Sequence, residues 1–165
     1  MTVSIRPAHQ PGDIGVIIGM HGRRYAAECG MDQTVESYIA AGLAEYVDRR
    51  FRDGEAAGEC WVAESAEDGI VGSIGITRAD SRTLHLRWFL LDPAQRGRGL
   101  GRRLLETALE YCHEQDADRV FLMTIAGRDT AQHLYRKAGF ELTSSTPAHQ
   151  WGIDLVEQRF DLVLR

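Results

Sequence analysis

The segment Arg-Gly-Arg-Gly-Leu-Gly, residues 96–101, most constrains how this chain can fold. An apolar stretch at 84–91 precedes it and stops at Asp92-Pro93, as a buried strand does at its end. An amphipathic pattern follows it, with apolar side chains at helical spacing: Leu100, Leu104, Leu105, Ala108, Leu109 and Cys112. The sequence therefore predicts a strand, a glycine-rich loop and a helix in direct succession.

Such a loop is suited to an anionic ligand. Glycine lets the backbone turn tightly and come close to a ligand, because it has no Cβ. The first turn of the helix leaves backbone N–H groups free, and the helix dipole favours negative charge there. Arg96, Arg98 and Arg102 add side-chain charge. We therefore predict a pyrophosphate site, the alternative being a surface loop that only caps the helix.

Two familiar phosphate motifs do not fit this loop. A P-loop needs Gly-Lys-Ser/Thr, which the segment lacks. A dinucleotide fingerprint needs Gly-x-Gly-x-x-Gly, and Arg102 stands where its third glycine belongs.

The rest of the chain shows both strand and helix periodicity. Asp13 is a candidate N-cap for a first helix, and Gly22 and Gly30 are expected to interrupt the region after it. A second helix is expected at 35–51, and the remaining patterns predict strands at 3–6, 60–63, 70–76, 120–125, 140–143 and 160–164, and a helix at 130–138. This order predicts a mixed α/β domain rather than a regular parallel series.

Composition fits one globular domain over residues 1–165. The chain has 24 acidic and 19 basic side chains, a net charge of −5, and no basic run, which argues against nucleic acid as a partner. The charge is uneven, since residues 1–81 hold 13 acidic and 7 basic side chains.

Cysteine usage and hydropathy suggest the compartment. Cys29, Cys60 and Cys112 are widely spaced, no Cys-x-x-Cys or zinc-type His pair occurs, and no metal site is expected. No signal peptide and no apolar run near the roughly 20 residues of a membrane span is found, so we expect a cytoplasmic protein with no membrane partner.

A second block lies beyond the helix, with Ala131 followed by Gln-His, Leu134-Tyr135, Arg-Lys-Ala and Gly139-Phe140. Together with Arg-x-x-Gly-x-Gly, it strongly resembles the paired motifs of the GNAT superfamily of N-acetyltransferases. The resemblance covers essentially the whole chain and implies a mostly antiparallel sheet with a splayed strand pair, flanked by helices. Residues 21–28 and Trp151-Gly152 also resemble the acetyltransferase half of bacterial MarR–GNAT fusion proteins.

The resemblance implies how acetyl-CoA would be held. The pantetheine arm would pair with the backbone of Phe89, Leu90 and Leu91 beside the splay. The pyrophosphate would lie on the loop and the first helical turn, formed by Arg96, Gly97, Arg98, Gly99, Leu100, Gly101 and Arg102. Arg128 stands where many relatives place an Asn, and it is a candidate for a CoA phosphate.

Catalytic roles follow from the same resemblance. Tyr135 matches the usual general acid, which protonates the departing thiolate. Many relatives have Glu eleven residues before the motif Arg, and counting back from Arg96 that position holds His85. His85 is therefore the candidate general base, since the ordinary pKa of imidazole is close to neutral pH. Both residues have a purely structural alternative: Tyr135 could be a tyrosine at the edge of the core, and His85 could be a strand histidine without a catalytic role.

The acceptor is expected to be a primary amine. It would attack acetyl-CoA directly, in a ternary complex of enzyme, acetyl-CoA and amine. The first two helices usually shape the acceptor pocket of this fold, which makes Tyr25 and Glu28 candidate acceptor contacts, unless Glu28 only belongs to a solvated acidic face. The alternative function is a non-catalytic acyl-CoA-binding regulatory module. The oligomeric state is open, with a homodimer as one option.

Overall fold

The computed structural model describes residues 2–165. Apolar periodicity places four helices and seven strands along the chain, with two short 3-10 turns at Gly54–Ala57 and Pro93–Gln95. The elements are β1 (Val3–Pro7), α1 (Asp13–Cys29), α2 (Gln33–Asp53), β2 (Gly58–Ser65), β3 (Gly69–Arg78), β4 (Thr83–Leu91), α3 (Leu100–Glu114), β5 (Arg119–Ile125), α4 (Asp129–Lys137), β6 (Glu141–Gln150) and β7 (Ile153–Val163). No helix in residues 2–165 is long and apolar enough to cross a membrane.

The strands form one twisted sheet in the order β1-β2-β3-β4-β5-β7-β6. Every neighbouring pair is antiparallel except β4 and β5, which are parallel. The predicted class, a mixed sheet that is mostly antiparallel and flanked by helices, is therefore confirmed in its topology.

The parallel pair separates part of the way along. β4 and β5 pair only from Thr83 to Leu86 on β4, although β4 continues to Leu91. At that point β4 carries a bulge against β3, and Trp88 takes a left-handed φ of 53°. From the bulge onward, the edge of β4 that faces β5 has no strand partner, and a wedge opens between the two strands.

Both faces of the sheet are covered. α3 and α4 pack on one face, over a core that includes Leu104, Leu122 and Phe160. α1 and α2 pack on the other, over a core that includes Ile17, Leu43 and Trp88. The wedge between β4 and β5 thus has α1 and α2 above it and α4 below it.

Two local expectations were wrong. α1 runs unbroken through Gly22, because the helix needs that glycine for packing: a Cβ there would lie 2.5 Å from a carboxylate oxygen of Glu36 on α2. Gly12, and not Asp13, is the N-cap of α1. Asp13 instead accepts hydrogen bonds from Arg6 at 2.8 and 3.0 Å.

The final hairpin is longer than its sequence pattern suggests. β6 and β7 pair over nearly their whole length and turn at Trp151-Gly152, where both residues have left-handed φ angles. β6 is mostly exposed, so its apolar and polar residues show little alternation, and only its first residues and the end of β7 were predicted.

Candidate active site

The glycine-rich loop is open and ends as the cap of α3. Gly97 and Gly99 have left-handed φ angles of 76° and 78°, which residues other than glycine rarely adopt. No atom lies within 4 Å of where a Cβ would stand on either, so the space around both is free. Gly99 is the N-cap of α3 and makes no side-chain capping bond, which leaves the first N–H groups of the helix directed outward.

Beside this loop lies a cavity of about 650 Å³, here named the loop-side groove. Its walls come from the end of β4, the loop, the β5–α4 connection and the end of α1. Among the residues with predicted cofactor roles, those lining it are Phe89, Leu90, Leu91, Arg96, Gly101 and Arg128. Gly101 has little spare room, since a Cβ there would stand 3.2 Å from Leu134.

The other predicted pyrophosphate residues lie next to the groove, in the loop and first turn of α3. Arg98 and Arg102 are exposed, and the nearest carboxylate to Arg102 is Glu106, one helical turn away at 3.8 Å. Leu100 has a buried side chain that belongs to the core, so only its backbone N–H faces outward.

Glu28 lies at the groove and joins two arginines. Its carboxylate accepts hydrogen bonds from Arg96 at 2.7 Å and from Arg128 at 2.8 Å. Burial pushes the pKa of Glu28 upward, but the bonds to Arg96 and Arg128 outweigh that effect and hold the pKa below its usual value. The predicted acceptor contact of Glu28 stays a prediction, and in this structure both its oxygens are engaged by guanidinium groups.

A second cavity of about 220 Å³, the helix-side pocket, opens on the other side of the wedge. It is closed by α1 and α2 above and by the wedge strands below. The titratable or charged residues that line it include His21, Tyr25, His85, Arg87, Tyr135 and Glu157. Four residues line both cavities, namely Phe89, Ile125, Arg128 and Ala131, so the groove and the pocket meet at the wedge.

Tyr135 is held in the floor of the pocket. Its ring packs against Phe89, Phe140 and Phe160, with centroids 5.9 to 6.1 Å apart. Burial raises the pKa of Tyr135 well above its usual value, with a further rise from Tyr25 and a partial opposing effect of Arg128. Within residues 2–165 its hydroxyl has no hydrogen-bond partner, so it keeps its proton and can donate it to a group entering the pocket.

His85 faces the same pocket from β4. Its ring stacks on Phe121 of β5, with centroids 4.2 Å apart. Burial, and then the positive charges of Arg87 and Arg159, lower the pKa of His85 to about 3. The imidazole is therefore neutral at pH 7 and only weakly basic, and its role as general base stays a prediction.

Tyr25 is on α1, and its ring contacts Arg128 at the start of α4 and His21 on α1 itself. The guanidinium of Arg128 sits 5.4 Å from its ring centroid, and the ring of His21 packs edge-on at 5.7 Å. Burial is the largest cause that raises the pKa of Tyr25, so its phenol is also protonated.

Three pocket residues were missed by the sequence reasoning. His21 lies one turn beyond Ile17 on the apolar stripe of α1, which could have pointed to a buried histidine. Arg87 and Glu157 gave no local signal, because they reach the pocket through strand pairing that is distant along the chain, Arg87 opposite Gly75 and Glu157 opposite Ile125.

Three features meet at this site: a wedge between parallel strands, an open glycine loop that caps a helix, and a buried tyrosine at their junction. Together they define an acyl-CoA-type transferase fold. The acetyltransferase (GNAT) family profile matches residues 25–140, and the chain belongs to this family. Human N-acetyltransferase 8B is 36% identical over 100 residues, 57% of this chain and 44% of that protein. Mycothiol acetyltransferase of Beutenbergia cavernae is 31% identical over 108 residues, 63% of this chain and 36% of that protein. The chain thus spans less than half the length of these relatives.

Solved structures agree on the fold. A GNAT-family acetyltransferase from Staphylococcus aureus superposes with a TM-score of 0.78 at 21% identity, covering 99% of this chain and all of that one. A putative acetyltransferase from Salmonella typhimurium, solved with acetyl-CoA, gives 0.77 at 18% identity and covers all of this chain and 95% of that one. The predicted GNAT fold is confirmed.

Proposed function

We propose that this protein is an N-acetyltransferase that moves the acetyl group of acetyl-CoA to a primary amine. The observation that carries the proposal is the junction at the wedge. The loop-side groove and the helix-side pocket share Phe89, Ile125 and Arg128, so a ligand in each would meet there. The relatives named as N-acetyltransferases and the structural neighbour solved with acetyl-CoA support the same assignment.

The groove fits the co-substrate in shape and in donors. The β5-facing edge of Phe89, Leu90 and Leu91 has no strand partner, so its backbone can pair with an extended arm. The open glycines and the free N–H groups of α3 suit a pyrophosphate, and Arg98 and Arg102 are exposed beside them. Acetyl-CoA supplies an activated thioester, and these residues would position it.

Tyr135 is the proposed general acid. When the neutral amine nitrogen bonds to the acetyl carbon and the carbon–sulfur bond breaks, the sulfur leaves with the electron pair and needs a proton. The protonated, unpartnered hydroxyl of Tyr135 can supply it. The amine must also lose one proton, for which His85 is the candidate, directly or through water.

The test is a thiol-release assay with acetyl-CoA and a panel of amines. Tyr135→Phe should lower kcat about 100-fold, as loss of a general acid does, while the Kd for acetyl-CoA stays unchanged. Tyr111→Phe is a matched control, because that hydroxyl donates only to the carbonyl of Glu55, away from the wedge.

Gly99→Glu probes the loop separately. A side chain at a left-handed φ of 78° strains the cap, and its carboxylate repels pyrophosphate. Calorimetry should show acetyl-CoA affinity lost in a folded variant. Unchanged affinity would refute the loop assignment.

A second candidate, a non-catalytic acyl-CoA-binding module, is favoured by one observation. The only histidine proposed as base has a pKa of about 3 and is a poor proton acceptor. Acetyl-CoA binding without turnover of any amine, and with no effect of Tyr135→Phe, would decide for this module.

Several further expectations belong to the same proposal. They are a single domain over residues 1–165, a cytoplasmic location in a bacterium, a homodimer as one option, and no metal, nucleic-acid or membrane partner. The likeness to the acetyltransferase half of MarR–GNAT fusions, carried by residues 21–28 and Trp151-Gly152, is also kept as a prediction.

A further inference from the structure

The helix-side pocket holds two opposite charges that the protein leaves unpaired. Three charged side chains line it, Arg87, Arg128 and Glu157. Arg128 is paired with Glu28, which it shares with Arg96. Across the described residues 2–165, neither Arg87 nor Glu157 has an ion-pair partner or a side-chain hydrogen bond, and the two do not pair with each other.

Such charges are paired elsewhere on the same face of the sheet. Arg159 and Asp161 follow Glu157 on the same face of β7. The Arg159 guanidinium donates two hydrogen bonds of 2.9 Å to the Asp161 carboxylate. Arg6 is likewise held between Asp13 and Glu64. Partly buried charge is unfavourable unless a partner compensates it, so two unpaired charges of opposite sign lining one cavity point to a ligand that carries both complementary charges.

The position of Arg87 is built into the fold. Its guanidinium lies 4.6 Å from the ring centroid of Trp88, the bulge residue. It also rests on Gly42 in the middle of α2, where a Cβ would come 2.5 Å from its Nη2 atom. Glycine inside a helix is unfavourable relative to alanine, and here it leaves the room that the guanidinium occupies.

Glu157 lies next to the junction of the two cavities. It is the register partner of Ile125 on β5, and Ile125 lines both the pocket and the groove. A group bound by Glu157 therefore stands near the place where the acetyl carbon would be, whereas a group bound by Arg87 stands toward α2.

A buried hydrogen-bond acceptor also faces this space. His21 is fully buried, and its Nδ1 lies 2.8 Å from the carbonyl oxygen of Ile17. Since that carbonyl can only accept, Nδ1 carries the proton and Nε2 presents a lone pair. Nε2 has no partner in the described chain, and it can accept a bond from an N–H donor in the pocket.

We infer that the acceptor is a small zwitterion of the amino acid class, whose amino group is held by Glu157 and whose carboxylate is held by Arg87. This inference rests on the proposed function and names its substrate class. The rings of Tyr38 and Trp151, 5.4 Å apart, line the same pocket and offer an apolar wall for the amino acid side chain. A polyamine fits poorly, because Arg87 would repel a second positive charge.

The experiment compares each common amino acid with its decarboxylated amine and its carboxamide in the thiol-release assay. At least one free amino acid should exceed its decarboxylated amine in kcat/KM by about tenfold or more, the effect of one charge-assisted contact. Arg87→Met should bring the two within about threefold of each other, and Arg87→Lys should restore part of the preference. Glu157→Gln should raise KM for both compounds.

Acetyl-CoA affinity, measured by calorimetry, should be unchanged in all three variants and reports that each is folded. Arg119→Met, an exposed arginine on β5 outside the pocket, is the matched control and should keep the preference. Turnover confined to amines without a carboxylate, or a preference that survives Arg87→Met, would overturn the inference and leave the proposed function standing. No turnover of any compound would overturn the proposed function first.

Discussion

At the scale of single residues, the junction favours neutral forms of its titratable groups. Burial is the largest cause that raises the pKa of Tyr135 and lowers the pKa values of His21 and His85, to about 4 and about 3. Each shift disfavours charge, which is what a poorly hydrated cavity does. A neutral amine is the nucleophile in acetyl transfer, and desolvation at the junction favours that form, whereas the nearby carboxylate of Glu157 favours the protonated amine.

His85 makes this environment measurable through stability. Its pKa is lower in the folded chain than the ordinary 6.5, so between pH 6.5 and about 3 the unfolded chain binds more protons. Stability should therefore fall as pH drops through this window. Between pH 7 and pH 5 the loss from His85 is at most about 2 kcal/mol, and less to the extent that solvent reaches its ring.

The variant His85→Phe keeps a ring to stack on Phe121 and removes the titration. Urea unfolding at pH 7 and pH 5 should show a smaller acid loss for the variant than for the unchanged protein. An equal loss in both would mean that His85 does not have a lowered pKa. The pH–rate profile of the unchanged protein should also show no limb near pH 6.5 that disappears in His85→Phe, because the pKa of His85 lies well below that pH.

The sequence predicted the residues of this site that lie in contiguous motifs, but it missed those that distant contacts bring to the site. Tyr135 and the loop glycines lie in contiguous motifs whose local geometry defines them. Arg87 and Glu157 reach the pocket through contacts distant along the chain. Glu28 was identified as a residue of this region, but its pairing with two arginines depends on how α1 meets the loop, which no local pattern records.

At the scale of elements, the bulge in β4 decides where the wedge opens. The pattern at 84–91 predicted a strand that becomes apolar on both faces, and the strand is present. The break in side-chain alternation at Trp88 was not predictable from the sequence, because it depends on the absence of a side chain at Gly75 on the neighbouring strand. A Cβ at Gly75 would stand 2.5 Å from the Trp88 ring.

Gly75→Ala should therefore press on Trp88 and disturb the wedge. Overpacking of this kind costs about 1–3 kcal/mol, and we expect that loss in the free energy of unfolding together with weaker acetyl-CoA binding. Gly15→Ala is the matched control, since it lies in α1 with no atom within 4 Å of the new methyl group. It should be neutral or slightly stabilising. Normal stability and binding in Gly75→Ala would show that the bulge tolerates a side chain.

At the scale of the whole molecule, a net charge of −5 coexists with the proposed pyrophosphate site. The acidic excess lies in residues 1–81, and it meets the arginine loop through Glu28 on α1. That contact pairs one carboxylate with both Arg96 and Arg128, and it leaves Arg98 without a carboxylate within 4 Å in the described chain. The acidic excess of residues 1–81 therefore does not by itself predict a cationic acceptor, because the unpaired charges that line the pocket are one of each sign, Arg87 and Glu157.

This arrangement predicts different salt dependences for the two ligands. Acetyl-CoA carries several negative charges and meets exposed arginines, so its Kd should rise several-fold as ionic strength goes from about 0.05 to about 0.5 M. Arg98→Gln combined with Arg102→Gln should flatten that dependence, whereas Arg52→Gln, at the far end of α2, should not. A zwitterionic acceptor has no net charge, so its KM should change little over the same range. Calorimetry for acetyl-CoA and steady-state rates for the acceptor measure both. A Kd for acetyl-CoA that is independent of salt would mean that the loop arginines do not contact its phosphates, because screening acts on every exposed ion pair.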